Sequence, residues 1–181
     1  AVFRAIRAVA DVVLVAAGTA RAERYGAGRA RPGGSPPPRI AVVTGSADLD
    51  PEQRLFADAH PAIRPLVLTT AAADEERRAR LAEVAEVVLV GDGLVDLPLA
   101  LTALAERGAG VVLCEGGPTL NGQLVQLDLV DEWCQSVAPL LAGGRSRRVA
   151  EGDGPPAGPG ALRLDRLLEE DGTLFARYVR P

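Results

Sequence analysis

Five short, unbroken apolar runs do more than any other feature of this sequence to limit its fold. They are Val12–Val15, Ile40–Val43, Leu66–Leu68, Val87–Val90 and Val111–Cys114. A run of this kind is typical of a strand that is buried on both faces, as in a parallel sheet. Helical patterns separate several of the runs. The sequence therefore predicts an α/β fold with a mostly parallel central sheet and helices on both of its faces.

The segments between the runs have local signals of their own. Asp74 precedes a charged helix that extends to about Val84, and Asp96 precedes a second, more apolar helix. At both places a short carboxylate can accept a hydrogen bond from the free N–H groups of the first helical turn. Residues 19–38 are rich in Arg, Gly and Pro, so we predict that they form a long loop.

The last third of the sequence predicts antiparallel strands. Residues 132–141 read as one long strand, and a Gly/Pro/Arg loop follows at 143–160. Strands are then predicted at about 161–169 and 173–179, and Asp171-Gly172 between them is a strong hairpin signal. We expect this C-terminal hairpin to be added to the parallel sheet, which makes a mixed sheet.

Composition narrows the class of protein. With 181 residues, of which 48% are hydrophobic, the chain fits a single domain. The net charge of −4 argues against nucleic acid as a partner. No apolar run is long enough to span a membrane and no signal peptide is visible, so we expect a cytoplasmic protein. The two cysteines and one histidine lack zinc-site spacing, and we expect no metal.

A glycine turn carries the strongest sign of function. The run ending at Cys114 is followed by Glu115, Gly116, Gly117 and Pro118, and then by leucines at helical spacing at 120, 124 and 127. The layout is a strand, a glycine turn and a helix N-terminus, where free N–H groups favour phosphate. Glu115 would lie at the carboxyl end of its strand, where open α/β sheets bind ligands. The alternative is an ordinary strand-to-helix turn with a glutamate at its rim.

Three ordered blocks of sequence resemble the reductase domain of riboflavin biosynthesis, the C-terminal half of the bifunctional deaminase/reductase. The blocks are residues 10–19 with Ala22-Glu23, residues 40–46, and residues 115–144 with their Glu-Gly-Gly-Pro-Thr-Leu-Asn-Gly, Leu-Val-Asp-Glu and Val-Ala-Pro-Leu-Leu-Ala-Gly-Gly segments. The resemblance implies a dihydrofolate-reductase-like fold. It also implies NADPH-dependent reduction of a phosphoribosylamino-pyrimidine, in which the ribosyl group becomes a ribityl chain.

The resemblance also assigns roles to residues. Glu115 would face the substrate as the catalytic carboxylate, and Arg29 or Arg31 would bind the substrate phosphate. Thr19 would contact NADPH near its nicotinamide half, and Ser46 would lie by the adenosine ribose and the 2′-phosphate. Further cofactor contacts would come from Glu23, Gly117, Pro118, Thr119, Leu120, Asn121, Gly122 and Gln123. Family members are usually dimeric, so we expect a homodimer.

The sequence departs from the family at several positions. Glu23 stands where Asp is usual, Tyr25-Gly26 replaces a proline-containing turn, and Asp48 occupies a position that is often basic. The family's first strand would precede Ala1, and we expect its absence to leave a gap in the sheet. Two alternatives therefore stay open: a non-catalytic nucleotide-binding or assembly domain, and a reductase of another pyrimidine or pterin.

Overall fold

A five-stranded parallel sheet is built from the apolar runs. In this computed structural model, which describes residues 2–31, 35–146 and 148–181, its spatial order is β4-β3-β2-β1-β5. The strands are β1 (Val12–Ala16), β2 (Arg39–Val43), β3 (Leu66–Thr69), β4 (Glu86–Leu89) and β5 (Val112–Cys114). All neighbours pair in parallel, with Leu14 opposite Ala41 on one side and opposite Cys114 on the other. The predicted parallel sheet is confirmed.

One helix precedes these strands and others join them. They are α1 (Val2–Val9), α2 (Ala17–Ala22), α3 (Arg54–Ala57), α4 (Glu75–Val84) and α5 (Leu97–Ala105). Helices α4 and α5 are the two predicted after Asp74 and Asp96. The two predicted caps are present: Asp74 Oδ1 accepts from the N–H of Arg77 at 2.9 Å, and Asp96 Oδ1 accepts from the N–H of Leu99 at 2.8 Å. Both carboxylates accept hydrogen bonds from N–H groups that have no partner within the first turn of the helix.

The core of this unit lies between the central strands and the helices. Val13, Val15, Val42 and Val67 are completely buried, and Leu55 and Leu81 reach them from the helices. The central strands thus have the two covered faces that unbroken apolar runs require. The loop predicted at 19–38 is wrong at its start, because residues 19–22 belong to α2. The alanines of that segment are strong helix formers.

Residues 118–181 form a second compact unit. It contains α6 (Pro118–Gln126) and an antiparallel sheet of β6 (Glu132–Val137), β7 (Arg163–Glu170) and β8 (Thr173–Val179), in the order β6-β8-β7. The predicted hairpin is confirmed: Asp171 and Gly172 both have positive φ, as a two-residue type I′ turn requires.

Three details of the second unit differ from the sequence prediction. The antiparallel strands form a sheet of their own, because β8 pairs with β6 along its whole length. Strand β6 stops at Val137 instead of Leu141, close to Pro139, which has no N–H to donate. Leu127 is 48% exposed instead of facing inward, because α6 has already ended at Gln126.

No helix in the described part of the chain is both long and apolar enough to cross a membrane.

Candidate active site

The site begins where the chain leaves β5. The N–H of Glu115 donates to the carbonyl of Leu14 at 2.9 Å, and the N–H of Ala16 donates to the carbonyl of Gly116 at 2.7 Å. Hydrogen bonding to β1 therefore continues for two residues beyond Cys114. Because β1 and β5 are parallel, this segment lies at the carboxyl edge of the sheet, where ligands bind in folds of this class.

The carboxylate of Glu115 is held by two side chains from distant parts of the sequence. Arg7 donates from Nε to Oε1 at 2.6 Å and from its Nη2 to Oε2, and the hydroxyl of Tyr25 also donates to Oε2. Only 6% of the Glu115 side chain is exposed, whereas Arg7 is 30% exposed. These charged and neutral donors offset the cost of burying the carboxylate.

Arg7 reaches this place from the last turn of α1. Side chains of a helix lean toward its N-terminus, and α1 runs into β1, so the lean directs Arg7 toward the carboxyl edge of the sheet. Its guanidinium lies 4.7 Å from the ring centre of Phe3 and 5.6 Å from that of Tyr25. The hydrogen bond to Glu115 raises the pKa of Arg7, although burial opposes this. The group is a permanent cation.

Two neighbouring groups stay neutral. Burial, and then the hydrogen bond to Glu115, raise the pKa of Tyr25 far above its usual value, so the phenol keeps its proton. Burial also raises the pKa of the Cys114 thiol, which directly precedes Glu115. The carboxylate of Glu115 and the guanidinium of Arg7 therefore provide the charges at this point.

The glycine turn leaves no room for a side chain at Gly117. A Cβ at this position would lie 2.5 Å from Oγ1 of Thr19, a distance that real Cβ atoms do not reach. Gly116 has a φ of 88°, in the region that favours glycine, and the peptide bond that joins the two glycines is cis. Thr19 and Gly117 are therefore in close contact, and Gly117 is two residues from Glu115 in the chain.

Helix α6 begins directly after this turn, at Pro118. Within the helix, Leu120 and Gly122 are buried, and a Cβ at Gly122 would overlap the backbone of Glu151. The side chain of Asn121 donates to the carbonyl of Val149 at 2.8 Å, while Thr119 and Gln123 are exposed. The first turn therefore leaves backbone N–H groups and the exposed side chain of Thr119 for a ligand.

The other predicted site residues lie apart from Glu115. Ser46 is exposed after β2, and Glu23 is exposed directly after α2. Arg29 is exposed, whereas Arg31 donates to the carbonyl of Ala10. Ala10 precedes β1 and so lies at the amino edge of the sheet, a strand length of roughly 16 Å from the carboxyl edge.

Sequence reasoning missed Arg7 and gave Tyr25 no role. Arg7 is separated from Glu115 by 108 residues and Tyr25 by 90 residues, and no local pattern links positions so far apart. One signal for Tyr25 was available: it is a large side chain at a position where the family usually has a turn with proline. For Arg7 the useful signal was its place in the helix directly before β1.

Comparison with known proteins identifies the family. Residues 1–171 match the RibD C-terminal domain model. The chain is 36% identical over 133 residues to the 2,5-diamino-6-ribosylamino-4(3H)-pyrimidinone 5′-phosphate reductase of Methanothermobacter thermautotrophicus, covering 73% of this chain and 60% of that protein. It is 32% identical over 170 residues to the protein of the same name in Aquifex aeolicus, covering 90% of this chain and 70% of that protein.

A solved structure agrees with these sequence matches. It is a pyrimidine reductase-like protein from Corynebacterium diphtheriae, which superimposes with a TM-score of 0.83 at 26% identity, covering 98% of this chain and 78% of that one. The resemblance that three sequence blocks indicated is therefore confirmed, and with it the dihydrofolate-reductase-like fold. This chain belongs to the RibD C-terminal domain family, whose curated members named above are pyrimidinone phosphate reductases.

Proposed function

We propose that this protein is an NADPH-dependent reductase of riboflavin biosynthesis that acts on a phosphoribosylamino-pyrimidine of the 5-amino-6-(5-phosphoribosylamino)uracil type. The product carries a ribityl chain in place of the ribosyl group. One observation carries the proposal: the nearly buried carboxylate of Glu115, paired with Arg7, lies beside a glycine turn at the carboxyl edge of a parallel sheet. Reductase relatives support it.

Glu115 has the chemistry that such a substrate needs. Its carboxylate can accept hydrogen bonds from ribose hydroxyls or from the amine that joins sugar and pyrimidine. As the sugar ring opens, positive charge develops near the anomeric carbon, and a fixed carboxylate stabilises that charge without having to reorganise. Arg7 directs two of its five N–H groups at Glu115 and also forms a side-chain hydrogen bond with Tyr25, so part of the guanidinium is left to bind oxygen atoms of the substrate.

Gly117 and Thr19 fit a nucleotide cofactor. The hydroxyl of Thr19 lies where a side chain on Gly117 would point, so a hydroxyl group and a side-chain-free backbone lie together, and both can form hydrogen bonds with a phosphate. When bound, NADPH would supply the hydride that the anomeric carbon takes up, while the ring oxygen gains a proton. We propose Thr19 and Gly117 as cofactor contacts. By resemblance, the proposal extends to Glu23, Ser46 and residues 118–123.

Positive charge beside β2 supports NADPH over NADH. Asp48 stands where relatives often have a basic residue, yet Arg77 lies 3.4 Å from its carboxylate and Arg21 donates to its carbonyl at 2.6 Å. These two guanidinium groups offset the negative charge of Asp48. A 2′-phosphate is therefore better accommodated there than it would be beside an aspartate without these two arginines.

The relatives' names favour a second substrate. Both curated relatives described above are named for 2,5-diamino-6-ribosylamino-4(3H)-pyrimidinone 5′-phosphate, which differs from the uracil-type compound on the pyrimidine ring. The ribosyl group that is reduced is the same in both compounds, so Glu115 would act in the same way. The pyrimidine contacts would decide between them.

The direct test follows the loss of NADPH absorbance at 340 nm with each of the two pyrimidines, using the full-length protein. We expect turnover with NADPH that exceeds turnover with NADH. Glu115→Gln should slow it at least a hundredfold, whereas the exposed control Glu52→Gln should not. Absence of turnover with both pyrimidines, in a protein that binds NADPH, would favour the non-catalytic alternative.

A homodimer in the cytoplasm completes the proposal. Four large apolar side chains lie on one face of the antiparallel sheet, and each is 40% to 55% exposed: Val137, Leu164, Leu167 and Leu174. We propose that a second copy covers this face. Leu167→Glu should then give a monomer in light scattering, whereas Leu168→Glu, on the opposite face of the same strand and 48% exposed, should not. A wild-type monomer at micromolar concentration would refute the dimer.

A further inference from the structure

The contacts of Glu115 leave its two oxygens unequal. Oε2 accepts from Arg7 Nη2 and from the hydroxyl of Tyr25, whereas Oε1 accepts from Arg7 Nε alone. Each carboxylate oxygen has two lone-pair sites in its plane. Among the described residues, Oε2 therefore has both of its sites filled, and Oε1 keeps one for a ligand.

Tyr25 is held firmly enough to create this difference. Its backbone N–H donates to the carbonyl of Ala20 at 3.0 Å, which fixes the residue just past the end of α2. Its ring packs against the buried cluster of the parallel-sheet unit. Burial raises the pKa of the phenol, so its hydroxyl remains a donor throughout the pH range in which the protein works.

We propose that Tyr25 is a positioning residue for the reaction, which fills Oε2 of Glu115 and so directs the substrate's hydrogen bond to Oε1. The inference rests on the proposed reductase function and adds a residue to its site.

The expected effect of removing the hydroxyl follows from geometry. Tyr25→Phe keeps the ring and its packing but leaves a lone pair of Oε2 open, so the substrate can bind to either oxygen. A substrate bound to Oε2 lies about 2 Å from the productive position, the separation of two carboxylate oxygens, and such a displacement costs much of the rate. We expect kcat to fall at least tenfold while the KM for NADPH stays within twofold of wild type.

The test combines steady-state kinetics with a double-mutant cycle. Tyr25→Phe is made in the wild-type and Glu115→Gln backgrounds, and Tyr178→Phe removes a hydroxyl from β8 as the matched control. We expect Tyr25→Phe to lower kcat in the wild-type background, to change it less than twofold beside Glu115→Gln, and to leave NADPH binding unchanged in a fluorescence titration. Tyr178→Phe should behave as wild type.

The possible results separate this inference from the proposed function. If the wild-type protein reduces neither pyrimidine, the proposed function is wrong, and the role of Tyr25 is wrong with it. If wild type is active and Tyr25→Phe matches it, only the role of Tyr25 is overturned. An equal loss of kcat in both backgrounds, or a weakened affinity for NADPH, would indicate a structural role and would overturn it as well.

Discussion

Gly117→Ala tests the glycine turn, because the structure gives the size of the steric conflict. The new Cβ would lie 2.5 Å from Oγ1 of Thr19. An ordinary contact is about 3.5 Å, so one of the two residues must move by about 1 Å. Overpacking of this kind costs about 1–3 kcal/mol of stability. We therefore expect the single variant to unfold at lower denaturant concentration than wild type.

Thr19→Ala removes the conflicting atom and makes the binding experiment clean. In the double variant, the next atom that the new methyl group meets is the Cβ of residue 19, at 3.9 Å, which is an ordinary contact. The stability lost in Gly117→Ala should then largely return relative to Thr19→Ala alone. A change in NADPH binding between these two variants cannot be attributed to misfolding.

The expected loss of affinity follows from the proposed phosphate contact. Thr19→Ala empties the space beside Gly117 and lets a phosphate reach the backbone there, whereas the methyl group of the double variant fills that space again. The phosphate then loses hydrogen bonds to the backbone, and two such bonds at about 1 kcal/mol each amount to about 2 kcal/mol. The Kd for NADPH should rise about thirtyfold between Thr19→Ala and the double variant, measured by the fluorescence of NADPH. Glu115→Gln should leave this Kd nearly unchanged. Equal affinities for Thr19→Ala and a folded double variant would refute the assignment of Gly117 to the cofactor.

Two further predictions concern stability. Burial opposes ionisation of Glu86, but hydrogen bonds from Arg39 and Arg107 outweigh this effect and lower the pKa of Glu86. Because the folded pKa is lower than the unfolded pKa of 4.5, the carboxylate stabilises the fold at neutral pH. This contribution is lost as the pH falls below 4.5 and through the folded pKa. Glu86→Gln should cost about 1 kcal/mol at pH 7 and less at pH 3 by urea unfolding, whereas Glu83→Gln, at an exposed position near the end of α4, should change little at either pH. Asp96→Ala should cost about 1 kcal/mol through loss of the α5 cap, while the exposed Asp92→Ala should be neutral; equal effects of the two would contradict the capping argument.

Local signals predicted most of the fold. The unbroken apolar runs predicted the parallel strands, because a strand that is covered on both faces has apolar residues at every position instead of alternating polar and apolar ones. Asp74 and Asp96 predicted helix starts, because their side chains are short enough to accept hydrogen bonds from the first helical turn. Asp171-Gly172 gave the hairpin because both residues tolerate positive φ. The prediction of a single mixed sheet failed because it depended on which strands pair. Nothing near β6 in the sequence shows that β8 pairs with it in a separate sheet.

The site was predictable only in part, for the same reason. Glu115 and Gly117 share one short motif, so the sequence could associate them with each other, and the family resemblance added Thr19. Arg7 and Tyr25 meet Glu115 only because β5 pairs with β1 across a long separation in sequence. A strand order is a tertiary property, and the periodicity of any one segment does not contain it.

The shortness of β5 has a consequence for how the protein folds and opens. The strand has three residues and pairs within its sheet with β1 alone, after the chain has already passed through β2, β3 and β4. Contacts that close so long a loop form late, and edge segments with few hydrogen bonds are among the first to open in the native state. We therefore expect Glu115 to join Arg7 and Tyr25 late in folding. Amide hydrogens of residues 112–116 should exchange faster than those of β2, and each opening would separate the carboxylate from both of its donors.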